Sequence, residues 1–206
     1  MADDVKAQHW NTVYRTKSDS DLSWFEDVPT VSLAMLEAAG LRDDRCVLDV
    51  GGGDSHLVDT LVARGMRCVA VLDVSSAALA RARTRLGASA SGVRWIEADV
   101  TGAWELDPVD FWHDRAVFHF LTEAADRQRY RTNLMRMVQP GGHALMATFA
   151  LDGPERCSGL PIARYSPATL LEALGPGFDL VEARLHTHTT PWGAPQSFQY
   201  SLLRRR

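Results

Sequence analysis

Val47-Leu48-Asp49-Val50-Gly51-Gly52-Gly53-Asp54-Ser55 is the stretch whose reading decides the fold. An apolar run ends in an acid, three glycines follow, and a helical pattern begins at once. A buried parallel strand presents a backbone turn to a nucleotide-like ligand in this way, with amide groups at the helix start pointing toward it. The next apolar run, Cys68 to Leu72, ends in a second acid, Asp73. The run from Val93 ends at Asp99, and the run from Val109 to Phe118 contains Asp114. Ligands of open parallel sheets bind beyond the carboxyl ends of the strands. Four acids gathered there repel one another and lose hydration, so the set in register points to a ligand with hydroxyls and a cationic centre. Each acid alone has a plainer reading as a turn former or helix cap.

Outward from that stretch, strand and helix patterns alternate. Strands are expected at Cys46–Val50, Arg67–Asp73, Val93–Asp99, within Val109–Phe118 and at His143–Phe149. Helices are expected from Pro29 to Ala39, over Ser55–Arg64, from the N-cap Ser75 to Leu86 with Arg81, Arg83 and Arg85 on an exposed side, over Thr122–Val138, and over Ser166–Leu174. Such alternation predicts an α/β fold, a mostly parallel sheet with helices on both faces. Phe178–His188 and Gln196–Leu203 read as a closing hairpin at the sheet's edge. Residues 1–40 are expected to form a helical, aromatic lid segment. Residues 41–206 form the core, with a loop at 150–165 on the acceptor side.

Composition narrows the classes. The 206 residues are 46% apolar and 23% charged, which suits one soluble domain with a real core. A formal charge of −4 offers no basic field for nucleic acid, and Arg204-Arg205-Arg206 reads as a solvated terminus. No apolar run approaches a membrane span, and the polar start MADDVKAQHW predicts a cytoplasmic protein. Cys46, Cys68 and Cys157 show no metal-ligand spacing. Cys46 and Cys68 read as core thiols, and the odd count fits a reducing compartment. A dinucleotide fingerprint would need a small residue where His56 stands, and no phosphate-cradling lysine motif is present.

DVGGGDS, followed by LDVS, EADV and a Pro-Gly-Gly before the fifth strand, resembles the class I S-adenosylmethionine-dependent methyltransferases over about residues 44–150. Ser55 departs from the family's third glycine. The resemblance implies a single-domain Rossmann-like methyltransferase fold with seven strands, the last antiparallel. It also implies S-adenosylmethionine as cofactor, with S-adenosylhomocysteine as product; no metal is expected, because Cys157 with His186 and His188 lacks a fourth ligand. Asp49 with Gly51, Gly52 and Gly53 would face the methionine part of the cofactor. Asp73 would hold the ribose hydroxyls with Val74 against the adenine. Asp99 and Val100 would read the adenine edge, and His113-Asp114-Arg115 would lie where the methyl group meets substrate. Trp10, Tyr14 and Ser23-Trp24-Phe25 resemble an aromatic lid that excludes water and packs near the sulfonium.

Methyl transfer requires a positioned lone pair and, for hydroxyl acceptors, a base. Asp114, Arg115, His119, Tyr165 and His188 are the candidates for that work, with Trp24 and Asp114 also set against the cofactor. Cys157, His186 and Trp192 are further candidates for an acceptor pocket, against plain loop and edge packing. The strand-four end lacks the [DN]-P-P-[YFW] signature of amino-methylating nucleic-acid enzymes. A small-molecule acceptor is therefore expected, a thiol or similar soft nucleophile. Protein lysine methylation is the alternative, and a non-catalytic cofactor-binding protein comes third.

Overall fold

The computed structural model describes residues 2–206, with side chains from Val5 onward. Its central sheet runs β3-β2-β1-β4-β5-β9-β8, where β1 is Cys46–Val50, β2 Cys68–Asp73, β3 Val93–Glu97, β4 Val109–Arg115, β5 Val138–Phe149, β8 Phe178–Thr189 and β9 Pro195–Arg205. The first five strands are mutually parallel, and β9 enters antiparallel between β5 and the edge strand β8. This is the predicted seven-stranded sheet with its closing hairpin.

Side-chain alternation along the strands divides the core into two layers. Val47, Val69, Val71, Phe111 and Leu145 face α2 (Thr30–Ala38), α3 (Leu57–Ala63) and α4 (Ser76–Leu86). Leu48, Val50, Leu72, Trp112 and Met146 face α5 (Ala124–Met137) and α6 (Pro167–Leu174). The strand order reverses between β1 and β4, which opens the crevice where ligands bind in such sheets. Among the described residues no helix is long and apolar enough to cross a membrane.

The helix caps follow the sequence. Ser75 accepts the Ala78 amide at the start of α4, and Ser166 caps α6 through Thr169 with Pro167 at the first position. Several boundaries differ from expectation. The third strand stops at Glu97, leaving Asp99 two residues beyond it in a turn. β5 begins at Val138, and Gln139 to Gly142 bulge out before pairing with β4 resumes at His143. The loop after β5 folds a small ribbon from β6 (Arg156–Cys157) and β7 (Leu160–Pro161), while a helix, α1 (Ala2–Thr16), occupies the N-terminal segment. Arg83 and Arg85 are exposed as expected and Arg81 is half-buried, while Arg81 and Arg85 reach back to pair with Asp54.

Cys46 and Cys68 are not separate core thiols. They are register partners on neighbouring strands, their Cα atoms lie 4.6 Å apart, and a disulfide joins them. Cys68 is exposed rather than buried, and Cys157 alone remains a buried free thiol. The case for a reducing compartment drawn from the cysteine count loses this pair.

Candidate active site

A cavity of about 270 Å³ opens at the carboxyl end of the sheet. Its floor is the turn after β1 and the ends of β2 and β3: Gly51, Asp73, Val74, Asp99 and Val100. Gly51 holds φ at +62°, and a side chain there would run into Val117, so the turn needs glycine. Gly52 lies so close to Asp49 that a Cβ would stand 2.5 Å from Oδ2.

Asp73 closes β2 and is buried. Its Oδ1 accepts the Ser75 amide at 2.7 Å, which fixes the carboxylate beside the start of α4. Burial pushes its carboxyl up to about 7, with the charge of Asp49 adding to the rise and the amides of Ser75 and Val74 opposing it. Oδ2 faces the glycine turn, where a Cβ on Gly53 would come within 2.6 Å of it. Two ribose hydroxyls would supply the donors that this carboxylate lacks. Asp99 is held by the Thr101 amide and hydroxyl, each at 2.7 Å on Oδ1, and by Lys6 Nζ at 2.8 Å on Oδ2. Burial raises the Asp99 carboxyl, but those donors outweigh it and leave the group below the usual range. Asn133, donating to the carbonyls of Val100 and Gly102, fixes this turn from α5. Acid, apolar wall and small turn together fit the adenosine half of S-adenosylmethionine.

The roof comes from outside the sheet. α1 docks on α4 through Asn11, whose Oδ1 accepts from the Ala77 amide and the Ser75 hydroxyl at 2.9 Å each. Arg81 returns the contact by donating to the carbonyls of Tyr14 and Lys17. So placed, Trp10, Tyr14 and Trp24 pack edge-on or tilted, and Trp10 meets Phe120 with ring centres 5.2 Å apart. Cys157, Leu160 and Pro161 from the β6–β7 ribbon complete the cavity wall. Burial pushes the Cys157 thiol up to about 12, so it stays protonated at neutral pH.

Arg115 and Trp24 lie between this cavity and a smaller one beneath the glycine turn. Arg115 donates to the Trp24 carbonyl at 2.7 Å and to the Tyr200 hydroxyl at 3.2 Å, and pairs with Glu26 at 3.1 Å. His188 holds the same segment from β8: Nε2 lies 2.8 Å from the Ser23 carbonyl and Nδ1 3.4 Å from Glu26. Arg115 thus borders the cavity with its charge spent, while His188 lines neither space and serves to pin Trp24.

Three other candidates are placed elsewhere. Asp114 points to the opposite face of β4 from the glycine turn. It accepts the amides of Val117 and Phe118 and the Tyr130 hydroxyl at 2.5 Å, so it shapes the bend after β4 rather than facing cofactor or acceptor. His119 is buried between Phe120 and Phe149, with neither ring nitrogen partnered among the described residues, and burial first, then Arg115, drives its pKa down to about 3. Tyr165 packs against Phe118 in the core at a tilt, 5.3 Å between ring centres. Neither His119 nor Tyr165 lines the cavity. His186 sits beside Tyr200 in β8, and Trp192 is 58% exposed in the hairpin loop. Lys6, Val117 and Leu121 line the cavity without any signal in the sequence that marks them.

Comparison with known proteins agrees with this geometry. A family model described as a methyltransferase domain matches residues 47–142. Uncharacterized methyltransferases of Mycobacterium tuberculosis and Mycobacterium bovis are 35% identical over 117 residues, 56% of this chain and 56% of each relative. The chain therefore spans about half the length of the curated relatives it matches. Among solved structures, one concerned with conversion of a disulfide bond into a thioacetal group during echinomycin biosynthesis superposes with a TM-score of 0.76 at 21% identity, covering 97% of this chain and 91% of that one. The N-methyltransferase NodS from Bradyrhizobium japonicum, in complex with S-adenosylhomocysteine, gives 0.70 at 17% identity over 96% and 98%. At these identities the likeness is one of fold.

Proposed function

We propose that the chain is a class I S-adenosylmethionine-dependent methyltransferase, and that it methylates a small, largely apolar molecule at a thiol or similar soft nucleophile. The cofactor supplies an electrophilic methyl group on a sulfonium. The chain's own residues hold the ribose and adenine at Asp73, Val74, Asp99 and Val100, exclude water with Trp10, Tyr14 and Trp24, and leave an apolar wall for the acceptor.

The observation that carries this reading is the absence of a usable base among the described residues lining the acceptor end. Cys157 is held protonated by burial, burial also raises the Tyr14 phenol, and Arg115 is a committed cation. An alcohol or ammonium acceptor would need its proton removed, whereas a partly ionised thiol brings its own lone pair. A roof of aromatic rings closes a cavity of about 270 Å³ that has to hold the cofactor as well, which favours a small acceptor. Glu26, two residues beyond Trp24, is taken by Arg115 and His188, which disfavours a lysine side chain there. The structure concerned with thioacetal formation in echinomycin biosynthesis, where sulfur chemistry occurs on a similar fold, is consistent with this choice.

The test is incubation with methyl-labelled S-adenosylmethionine against a panel of thiols, amines and carboxylic acids, and in parallel against a cell lysate. Label in small thioether products is the expected outcome. Label on a protein band would replace the reading with protein lysine methylation, and binding of the cofactor with no turnover on either arm would make the chain a non-catalytic binder.

A further inference from the structure

The smaller cavity, about 50 Å³, lies against Asp49, Gly51, Gly52, His113, Trp24 and Arg115. Asp49 is 2% exposed, and its Oδ2 has no hydrogen-bond partner among the described residues. A buried carboxylate oxygen without a donor is costly, so this one awaits a ligand group. Its other oxygen is occupied: His113 Nδ1 lies 2.7 Å from Oδ1. Asp49 and His113 are register partners on the adjoining parallel strands β1 and β4, so their side chains leave the same face of the sheet. On the far side of the ring, Nε2 is 2.8 Å from the hydroxyl of Ser32 on α2.

We propose that His113 is a positioning residue for the amino-acid end of the cofactor, one that takes Oδ1 of Asp49 and thereby commits Oδ2 to the ligand's ammonium group. The proposal rests on the cofactor reading given above. A carboxylate oxygen only accepts, so the ring donates to Oδ1 through Nδ1, while Nε2 is held in a hydrogen bond with the Ser32 hydroxyl. The ring occupies Oδ1 alone and leaves Oδ2 open to a cation. Gly52 lets the backbone approach that oxygen, so carboxylate and amide turn present one surface to the ligand. The other charged groups around the cavity are already engaged, Arg115 with Glu26 and Asp54 with Arg81 and Arg85. Ser32, His113 and Asp49 have the hydrogen-bond order of a hydrolytic triad. Ser32, however, is fully buried and lines neither cavity, so its hydroxyl serves the ring and no substrate.

Two polar replacements separate the ring's two bonds. His113→Asn keeps a donor near the Nδ1 position, and His113→Gln moves it toward Ser32. The readout is calorimetry with S-adenosylhomocysteine and with 5′-methylthioadenosine, which lacks the amino-acid end. The expected result is that H113N holds S-adenosylhomocysteine within about threefold of the unsubstituted protein while H113Q loses roughly tenfold or more, as for removal of a hydrogen bond to a buried charge. Methylthioadenosine should bind both variants alike. Equal affinities of H113N and H113Q for S-adenosylhomocysteine would overturn the proposal, as would a parallel loss of methylthioadenosine. Should H113Q not fold, Asp49→Asn takes its place beside H113N, with the same selective loss expected and the same parallel loss counting against it. Failure of the unsubstituted protein to bind either nucleoside would instead sink the cofactor reading itself.

Discussion

Affinity for the cofactor product should rise steeply with pH through neutrality, and Asp73 is the reason. Burial holds its carboxyl at about 7 in the ligand-free protein, so the group is protonated for much of the acidic range. Two ribose hydroxyls donate strongly to it only when it is ionised, since the protonated group turns one oxygen into a donor and loses the charge assistance. Binding therefore draws on the ionised fraction, about one part in a hundred at pH 5 and nine in ten at pH 8. The dissociation constant of S-adenosylhomocysteine should fall about a hundredfold between those values, roughly 2.7 kcal/mol. Stability of the ligand-free protein runs the other way. A carboxyl raised in the folded state stabilises fully below its ordinary value of 3.8 and loses that contribution as pH rises through about 7. Calorimetric titration from pH 5 to 8 measures the first effect, with Asp73→Asn as the control that should bind weakly and with little pH dependence. A flat profile in the unsubstituted protein, or the same slope in D73N, would refute the assignment of Asp73 to the ribose.

Tyr130→Phe removes the hydroxyl that bonds Asp114, and should cost about 1–3 kcal/mol in denaturant unfolding while leaving S-adenosylhomocysteine affinity unchanged; a selective loss of affinity would return Asp114 to the binding site. Reduction of the Cys46–Cys68 bridge, which spans 22 residues of sequence, should lower stability by about 3 kcal/mol in a thermal melt with and without reductant, and an unchanged melt would contradict the bridge's contribution. Gly52→Ala places a methyl group 2.5 Å from Asp49 Oδ2, so cofactor binding should become undetectable by calorimetry, and retention of normal affinity would show that the turn is not in contact with ligand.

The sheet could be read from the chain because buried parallel strands are short apolar runs, and all of them but the third were followed by a helix signal. Asp73 was legible for a further reason: it ends its strand, and Ser75 caps the helix just beyond. The choice between His113 and Asp114 was not legible. Neighbours in a strand point to opposite faces, and only the register with β1 shows that His113 joins Asp49 while Asp114 turns to Tyr130. The same register made a bridge of Cys46 and Cys68, which their spacing did not suggest. His119, Tyr165 and His188 carry reactive groups, but packing against Phe149, Phe118 and the Ser23 carbonyl assigns them to the core and the roof. Lys6 reaches Asp99 across 93 residues of sequence, a distance that no local pattern reports.

A crystal structure with S-adenosylhomocysteine bound tests the central claim most directly. The account predicts ribose hydroxyls on Asp73, the adenine against Val74 with its amino group at Asp99, and the sulfur facing Trp24, Phe120 and Cys157. A ligand seated elsewhere, or one whose sulfur faces away from that apolar wall, would contradict it.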